Sequence, residues 1–265
     1  MNAFALDRMI PLWAVFPVTV AVVLVSIGAG IRIGSRQRRT SDHLPEAPIG
    51  SVIGAMLGLL AFILAFTFGI AASRYDARKE LLLRDVNAIT TAWRRAELLP
   101  EPHRTESLAL LDRYVDLRVE VARDPSRVAA AIVESESIQE TLWSHAVALA
   151  RADMNSDIGA LYAEALNELI TVQTTRTTVA LQYRIPQPIW YLLIVLTVMC
   201  MGGVGYQFGV VGRSSILLNL FLAVAFSAVI TLIAQLDRPT EGFLQVNQKP
   251  MLDLQRRMDR TQPGT

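Results

Sequence analysis

Residues 49–73 read IGSVIGAMLGLLAFILAFTFGIAAS, and residues 74–99 follow directly as RYDARKELLLRDVNAITTAWRRAELL. The first stretch is almost wholly apolar and the second is charged and periodic, yet no glycine or proline marks the join. Helix ends are usually signalled by such residues, so one unbroken helix is predicted across the change of character. The 51 residues between Pro48 and Pro100 would span about 75 Å at about 1.5 Å per residue. A bilayer core takes about 30 Å of that length. The remaining 45 Å or so enters water as one wall of a soluble bundle.

Composition agrees with a membrane protein. Apolar residues make up 52% of the 265 and charged residues only 18%, with a mean hydropathy of +0.36, more apolar than a soluble chain of this length. A net charge of +1 gives no bulk reason to expect nucleic acid as a partner. The lone cysteine, Cys200, lies in an apolar run and can form no intrachain disulfide. Runs at 11–33, 49–73, 189–211 and 216–236 are long enough to cross a bilayer. The first follows Arg8 as a signal peptide would, but its length and its closing basic cluster (Arg32, Arg36, Arg38, Arg39) read as a retained span.

Four spans place both termini and the middle segment on one side. That side carries Arg8, Arg74, Arg78, Lys79, Arg84, Arg176, Arg184, Arg238, Lys249 and Arg256 near the spans, against Arg32, Arg36, Arg38, Arg39 and Arg213 opposite. The bias predicts a cytoplasmic middle segment and cytoplasmic termini. The expected segments are a first transmembrane pair (1–73), a cytoplasmic helical domain (74–186), a second transmembrane pair (187–236) and a cytoplasmic C-terminal tail (237–265).

The middle segment reads as four helices. The extension of the second span buries Leu82, Val86, Ile89, Trp93 and Ala96. A helix over about 104–123 has two adjacent stripes, Leu108, Leu111, Val115, Val119, Ala122 and Leu110, Tyr114, Leu117, Val121, as a helix packed on two sides would. Asp124-Pro125 ends it, and Ser126 is placed to cap the next, over about 127–152, with Ile138, Leu142, Ala146 and Leu149 inward. Asn155, Ser156 and Asp157 offer a break and a cap before a helix over about 158–183, whose stripe is Ile158, Leu161, Ala165, Leu169, Val172, Val179. A short helix is predicted within the tail near 251–260, and no strand alternation or repeat is present.

The second span carries a stripe of small residues, Gly54, Gly58, Ala61, Ala65, Gly69 and Ala72. Such stripes let backbones approach in lipid, either within one bundle or between copies around an axis. Phe62 and Phe66, one turn apart on a neighbouring face, read either as lipid-facing or core residues, or as a stacked apolar constriction in an oligomer. The spans hold almost no ionisable residue, which argues against a proton relay. Asn219, Ser227, Thr231 and Gln235 line up loosely on the fourth, ending at Asp237.

Arg176 falls on an apolar stripe and needs an acidic partner, for which Asp85 and Glu97 are the candidates. Asp237 and Arg238 leave the last span at the interface, where they can tie the tail to the bundle. His43, His103 and His145 stand in unrelated contexts, without HExxH spacing, and no GxxxxGK[ST] or GxGxxG occurs. No enzymatic activity, cofactor or metal is therefore expected.

The order of parts resembles the bestrophin architecture: two spans, a helical insertion, two spans and an irregular tail. The segment AFILAFTFGIAASRYDARKEL is similar to the bestrophin pore helix, and LDRPTEGFLQVNQKPMLDL is faintly similar to the segment after the last span. More closely, GLLAFILAFTFGIAASRYDARK, AELLPEP, ALNELI, RIPQPIW and LDRPTEGFLQVNQKP resemble a bacterial bestrophin-like domain family, over about 45–255. The resemblance implies pentameric ion channels, mostly anion-selective with a cation-selective bacterial branch. It places the pore neck at Phe62 and Phe66, with Gly58 where a third, bulky neck residue would stand, and the domain junction at Arg74 and Tyr75. The dense acidic cluster of calcium-gated members is absent, with only Asp237 and Glu241 nearby, so calcium gating is not expected.

The expected protein is thus all-α, an integral membrane protein of the inner (cytoplasmic) membrane with a cytoplasmic bundle between two transmembrane pairs. It is expected to act as a homo-oligomeric, pentameric channel in contact with lipid, passing small inorganic ions with anions slightly favoured. The competing reading is a non-conducting scaffold or sensor whose helical domain binds a partner protein. A secondary transporter is disfavoured by the lack of inverted repeats and buried charges in the spans.

Overall fold

Eight α-helices and one 3₁₀ turn carry the fold of the computed structural model, which describes residues 11–40, 46–182, 185–238 and 246–261. They are α1 (Leu12–Thr40), α2 (Glu46–Ala96), α3 (His103–Arg123), α4 (Val128–Ala152), α5 (Asp157–Gln182), α6 (Gln187–Val211), α7 (Ile216–Asp237) and α8 (Lys249–Thr261), with the 3₁₀ turn at Pro125–Arg127. No strand occurs among the described residues. Arg8, His43, Arg184 and Glu241, with the part of the tail about Glu241, lie outside the described residues. The opening expectation of one continuous helix is met by α2, 51 residues long. Four helices, α1, α2, α6 and α7, are long and apolar enough to cross a membrane.

The chain divides into two compact units, Met1–Tyr75 with Arg184–Gln245 and Asp76–Tyr183 with Val246–Thr265. In the first, Val23 and Ile27 of α1, Leu60 and Leu64 of α2, Leu193, Cys200 and Met201 of α6, and Ala223 and Ile233 of α7 form the core. Pro186 caps α6, and Gly212 ends it in the left-handed region at φ 76°, its N–H bonding the Phe208 carbonyl at 2.9 Å.

The second unit packs Ile89 and Trp93 of α2, Leu111, Tyr114 and Leu117 of α3, Leu142 of α4, and Tyr162 and Leu169 of α5. Three local expectations are corrected there. Ser126 does not cap α4; its N–H and hydroxyl both donate to Asp124 Oδ1, at 3.0 and 2.6 Å, closing the 3₁₀ turn instead. Ile158 and Leu161 are exposed, because the buried seam of α5 drifts to Tyr162, Ala165, Leu166 and Leu169 as a 3.6-residue period requires. Ala122, at the end of the α3 stripe, is likewise exposed. Ser156 does act as a cap, its Oγ accepting from Gly159 N at 3.1 Å. The helix expected within the tail, α8, is part of this unit's core through Met251, Leu254 and Met258.

Candidate functional site on the second helix

The membrane half of α2 is packed on one side only. Ile53, Leu60, Leu64, Thr67 and Ala71 are buried. Gly54, Gly58, Ala61, Ala65 and Gly69 are exposed and Ala72 is half-buried. Among the described residues, no atom lies within 4 Å of where a Cβ would stand on Gly54, Gly58 or Gly69. Among the described residues, the glycines of the stripe therefore pack against no other helix, while Ala72 at its end lies against the core. Phe62 and Phe66 share the open side, 66% and 60% exposed. At about 100° per residue, Phe62 lies about 160° round the helix from Leu60 and about 180° from Ala71.

Sequence reasoning missed the glycines that do pack internally. Gly30 and Gly34 of α1 meet Gly205 and Gly209 of α6 so closely that added methyl groups would strike backbone: the Gly202 and Tyr206 carbonyls from α1, and the Ile27 and Ile31 carbonyls from α6. Both pairs are GxxxG motifs, the signal that drew notice only in α2. The polar row of α7 does not make an outer face either. Ser227 is fully buried, and Asn219 is buried with its Nδ2 donating to Ser214 Oγ at 3.1 Å.

Polar anchors hold α2 where its character changes. Arg74 Nη1 is 4.0 Å from Asp237 Oδ1, and Tyr75 is half-buried against the first unit's core. Asp237 is 1% exposed and accepts the Ile185 N–H at 2.9 Å, tying the end of α7 to the start of α6. Arg238 is buried next to it in the chain. A buried donor needs its acceptor, so this carboxylate has a structural task.

In the helical unit, Asp85 of α2 is fully buried. Arg176 Nη1 of α5 bonds its Oδ2, and Arg118 Nε of α3 stands 3.7 Å from the same oxygen. Of the two acids considered for Arg176, Glu97 lies exposed beyond the end of α2. One carboxylate thus faces two guanidiniums, and the Tyr114 ring takes part of the load with Arg118 Cζ 4.5 Å from its centroid. Arg118 Nη2 also donates to the Tyr114 oxygen. The Tyr114 O–H donates to Gln173 Oε1 at 3.1 Å. Burial, then the like charge of Arg118, push the Arg176 pKa down against the pull of Asp85. Burial pushes the Tyr114 hydroxyl up. Arg118 was missed because it sits within the broad apolar face of α3, between Leu117 and Val119. His103 and His145, unrelated in sequence, are neighbours with ring centroids 5.2 Å apart.

These features define an all-helical membrane protein with four bilayer-length helices, whose second helix is anchored by buried charge and bare along one apolar face. The Bestrophin-like domain family matches residues 17–251, and the chain belongs to that family. No curated protein matches it. Crystal structures of a bacterial bestrophin homologue from Klebsiella pneumoniae are similar in fold. One point mutant aligns at 17% identity with a TM-score of 0.69, covering 94% of this chain and 99% of that one. Another aligns at 17% identity and 0.68, covering 92% and 98%.

Proposed function

We propose that the protein is an ion channel of the bacterial inner membrane, a homo-oligomer of five chains with α2 lining a central pore. Phe62 and Phe66 form the apolar neck, and Gly58, without a side chain, leaves it one turn shorter. The helical unit and both termini are cytoplasmic, following the basic residues. The carrying observation is the bare face of α2, where small residues that would let neighbouring copies approach flank two exposed rings set opposite the buried seam. Family membership supports the reading. Beyond the neck, Asp76 and Glu80 are each paired with a base, Lys79 at 3.9 Å and Arg84 at 2.7 Å. These acids give cations no net advantage, and the slight anion preference is proposed from the resemblance alone, since an apolar neck carries no charge to set the sign.

Purified protein in planar bilayers tests this. Conductance is expected, and Phe62→Ala with Phe66→Ala is expected to raise it by widening a dewetting constriction. Reversal potentials in asymmetric chloride salts give the preferred sign. Absent conductance, or a double variant identical to the parent, sinks the pore assignment. A dimeric mass in detergent favours the scaffold reading instead.

A further inference from the structure

Outside the pore face, the first turn of α3 and the C-terminal half of α4 bring together three metal-ligating side chains. His103, Glu106 and His145 each offer one ligand atom, and these atoms all lie within 4.8 Å of one another. His145 Nε2 is 3.2 Å from Glu106 Oε2. Tetrahedral zinc with bonds of about 2.1 Å holds its ligands about 3.4 Å apart, so this pair already has the required spacing. His103 completes the set by a movement of about 1.4 Å at most, within reach of a side-chain rotation. We propose that His103, Glu106 and His145 bind a zinc ion in the helical unit, with a fourth position open to water.

Two independent observations support the assignment. The first is that His103 Nδ1 is buried and has no hydrogen-bond partner among the described residues. A buried imidazole nitrogen without a partner is costly unless something is to occupy it. Second, His145 is oriented from behind. Its Nδ1 is 3.1 Å from Ser107 Oγ, which accepts the Tyr162 O–H at 2.9 Å. Metal-binding imidazoles are commonly held this way through the nitrogen that does not face the ion. With zinc on Nε2, the His145 proton sits on Nδ1 and is donated to Ser107 Oγ.

The plain alternative is a histidine–glutamate ion pair. It leaves the buried His103 Nδ1 without a partner among the described residues. Two imidazoles and one carboxylate suit zinc and disfavour calcium or magnesium, which take oxygen ligands. The Glu106 side chain is 56% exposed, so an ion has a path in. The positive end of the α3 dipole opposes a cation, and the Glu106 carboxylate in that turn offsets it.

The test uses the full chain in detergent, free of any histidine tag and stripped with chelator, titrated with zinc by calorimetry. One zinc per chain is expected. His103→Gln and His145→Gln should each weaken binding at least tenfold, while His43→Gln leaves it unchanged. X-ray absorption should show two imidazoles and no sulfur. Gel filtration and circular dichroism confirm folding. Should His145→Gln not fold, His103→Gln and Glu106→Gln decide, since both sites are less buried. No binding, binding unchanged in the folded variants, or a sulfur ligand overturns the proposal.

Discussion

Replacing Gly34 and Gly209 with alanine, and separately Gly54 and Gly58, separates glycines that hold one chain together from those free to join chains. At Gly34 a methyl would land on the Tyr206 carbonyl and 3.0 Å from Val210 N. At Gly209 it would reach the Ile31 carbonyl and 2.8 Å from Ser35 N. Restoring a carbon–oxygen contact of ordinary length moves α1 and α6 apart by about 1 Å. Overpacking of this kind costs about 1–3 kcal/mol, less up to about 1 kcal/mol gained as alanine replaces glycine in a helix. The pair is less than additive, because one separation relieves both contacts. At about 2–4 °C per kcal/mol for a chain of this size, Gly34→Ala and Gly209→Ala lower the melting temperature measured by tryptophan fluorescence. Gly54→Ala and Gly58→Ala have no neighbour to strike and leave it unchanged or slightly raised. Gly58→Leu should leave the chain folded but reduce the oligomer mass measured by light scattering in detergent. A Gly58→Leu chain that unfolds, or a Gly209→Leu chain as stable as the parent, refutes the division.

Asp85→Ala strands the buried guanidinium of Arg118 and the half-buried one of Arg176 and should destabilise the helical unit by about 3–5 kcal/mol, seen as a lower midpoint in chemical denaturation; Glu97→Ala, on the exposed turn, should not. Asp237→Ala leaves the Ile185 N–H without its acceptor and should cost about 1–3 kcal/mol, with hydrogen exchange at that amide rising first. Hydrogen bonds from Ser126 hold the Asp124 carboxyl below its usual range. Its contribution is therefore present above the unfolded value, near 3.8, and is lost as pH falls through the lower folded value. Asp124→Asn should then be less stable than the parent at pH 7 and equal to it once both carboxyl states are protonated.

The sequence displayed whatever depends on neighbours along one helix. Periodicity gave α2 through α5 and the stripes of Leu111, Leu142 and Leu169, since a helix face is written at fixed spacing. The change at Ser73–Arg74 with no breaker gave the unbroken α2. What it hid were meetings between distant segments. GxxxG in α1 and α6 was as visible as in α2, but which copy of the motif packs internally depends on which helices are adjacent, and spacing does not carry that. Arg176 announced a need for an acid and left two candidates; geometry supplied Asp85, together with Arg118, whose charge was masked by the apolar residues around it. His103 and His145 share no period because they lie on different helices that pack together.

On the proposed pore reading, these anchors also limit how the neck can open. Swinging or rotating α2 would pull Leu60, Leu64 and Ala71 out of their seam. In lipid the cost of that is not hydrophobic transfer, since acyl chains are as apolar as the seam, but the loss of close packing. Near Ser73 it would also strain the Arg74–Asp237 contact, and Asp237 cannot follow without releasing the Ile185 N–H. Phe62 and Phe66 carry no such restraint. Both rings are exposed within the chain, and a change of rotamer needs no backbone movement. A gate at this neck is therefore expected in the rings and in the water between them. Tightening the seam, for example by Ala71→Val, should lower stability through overpacking while leaving single-channel conductance unchanged. A conductance that follows the seam rather than the rings would show that the helix itself moves.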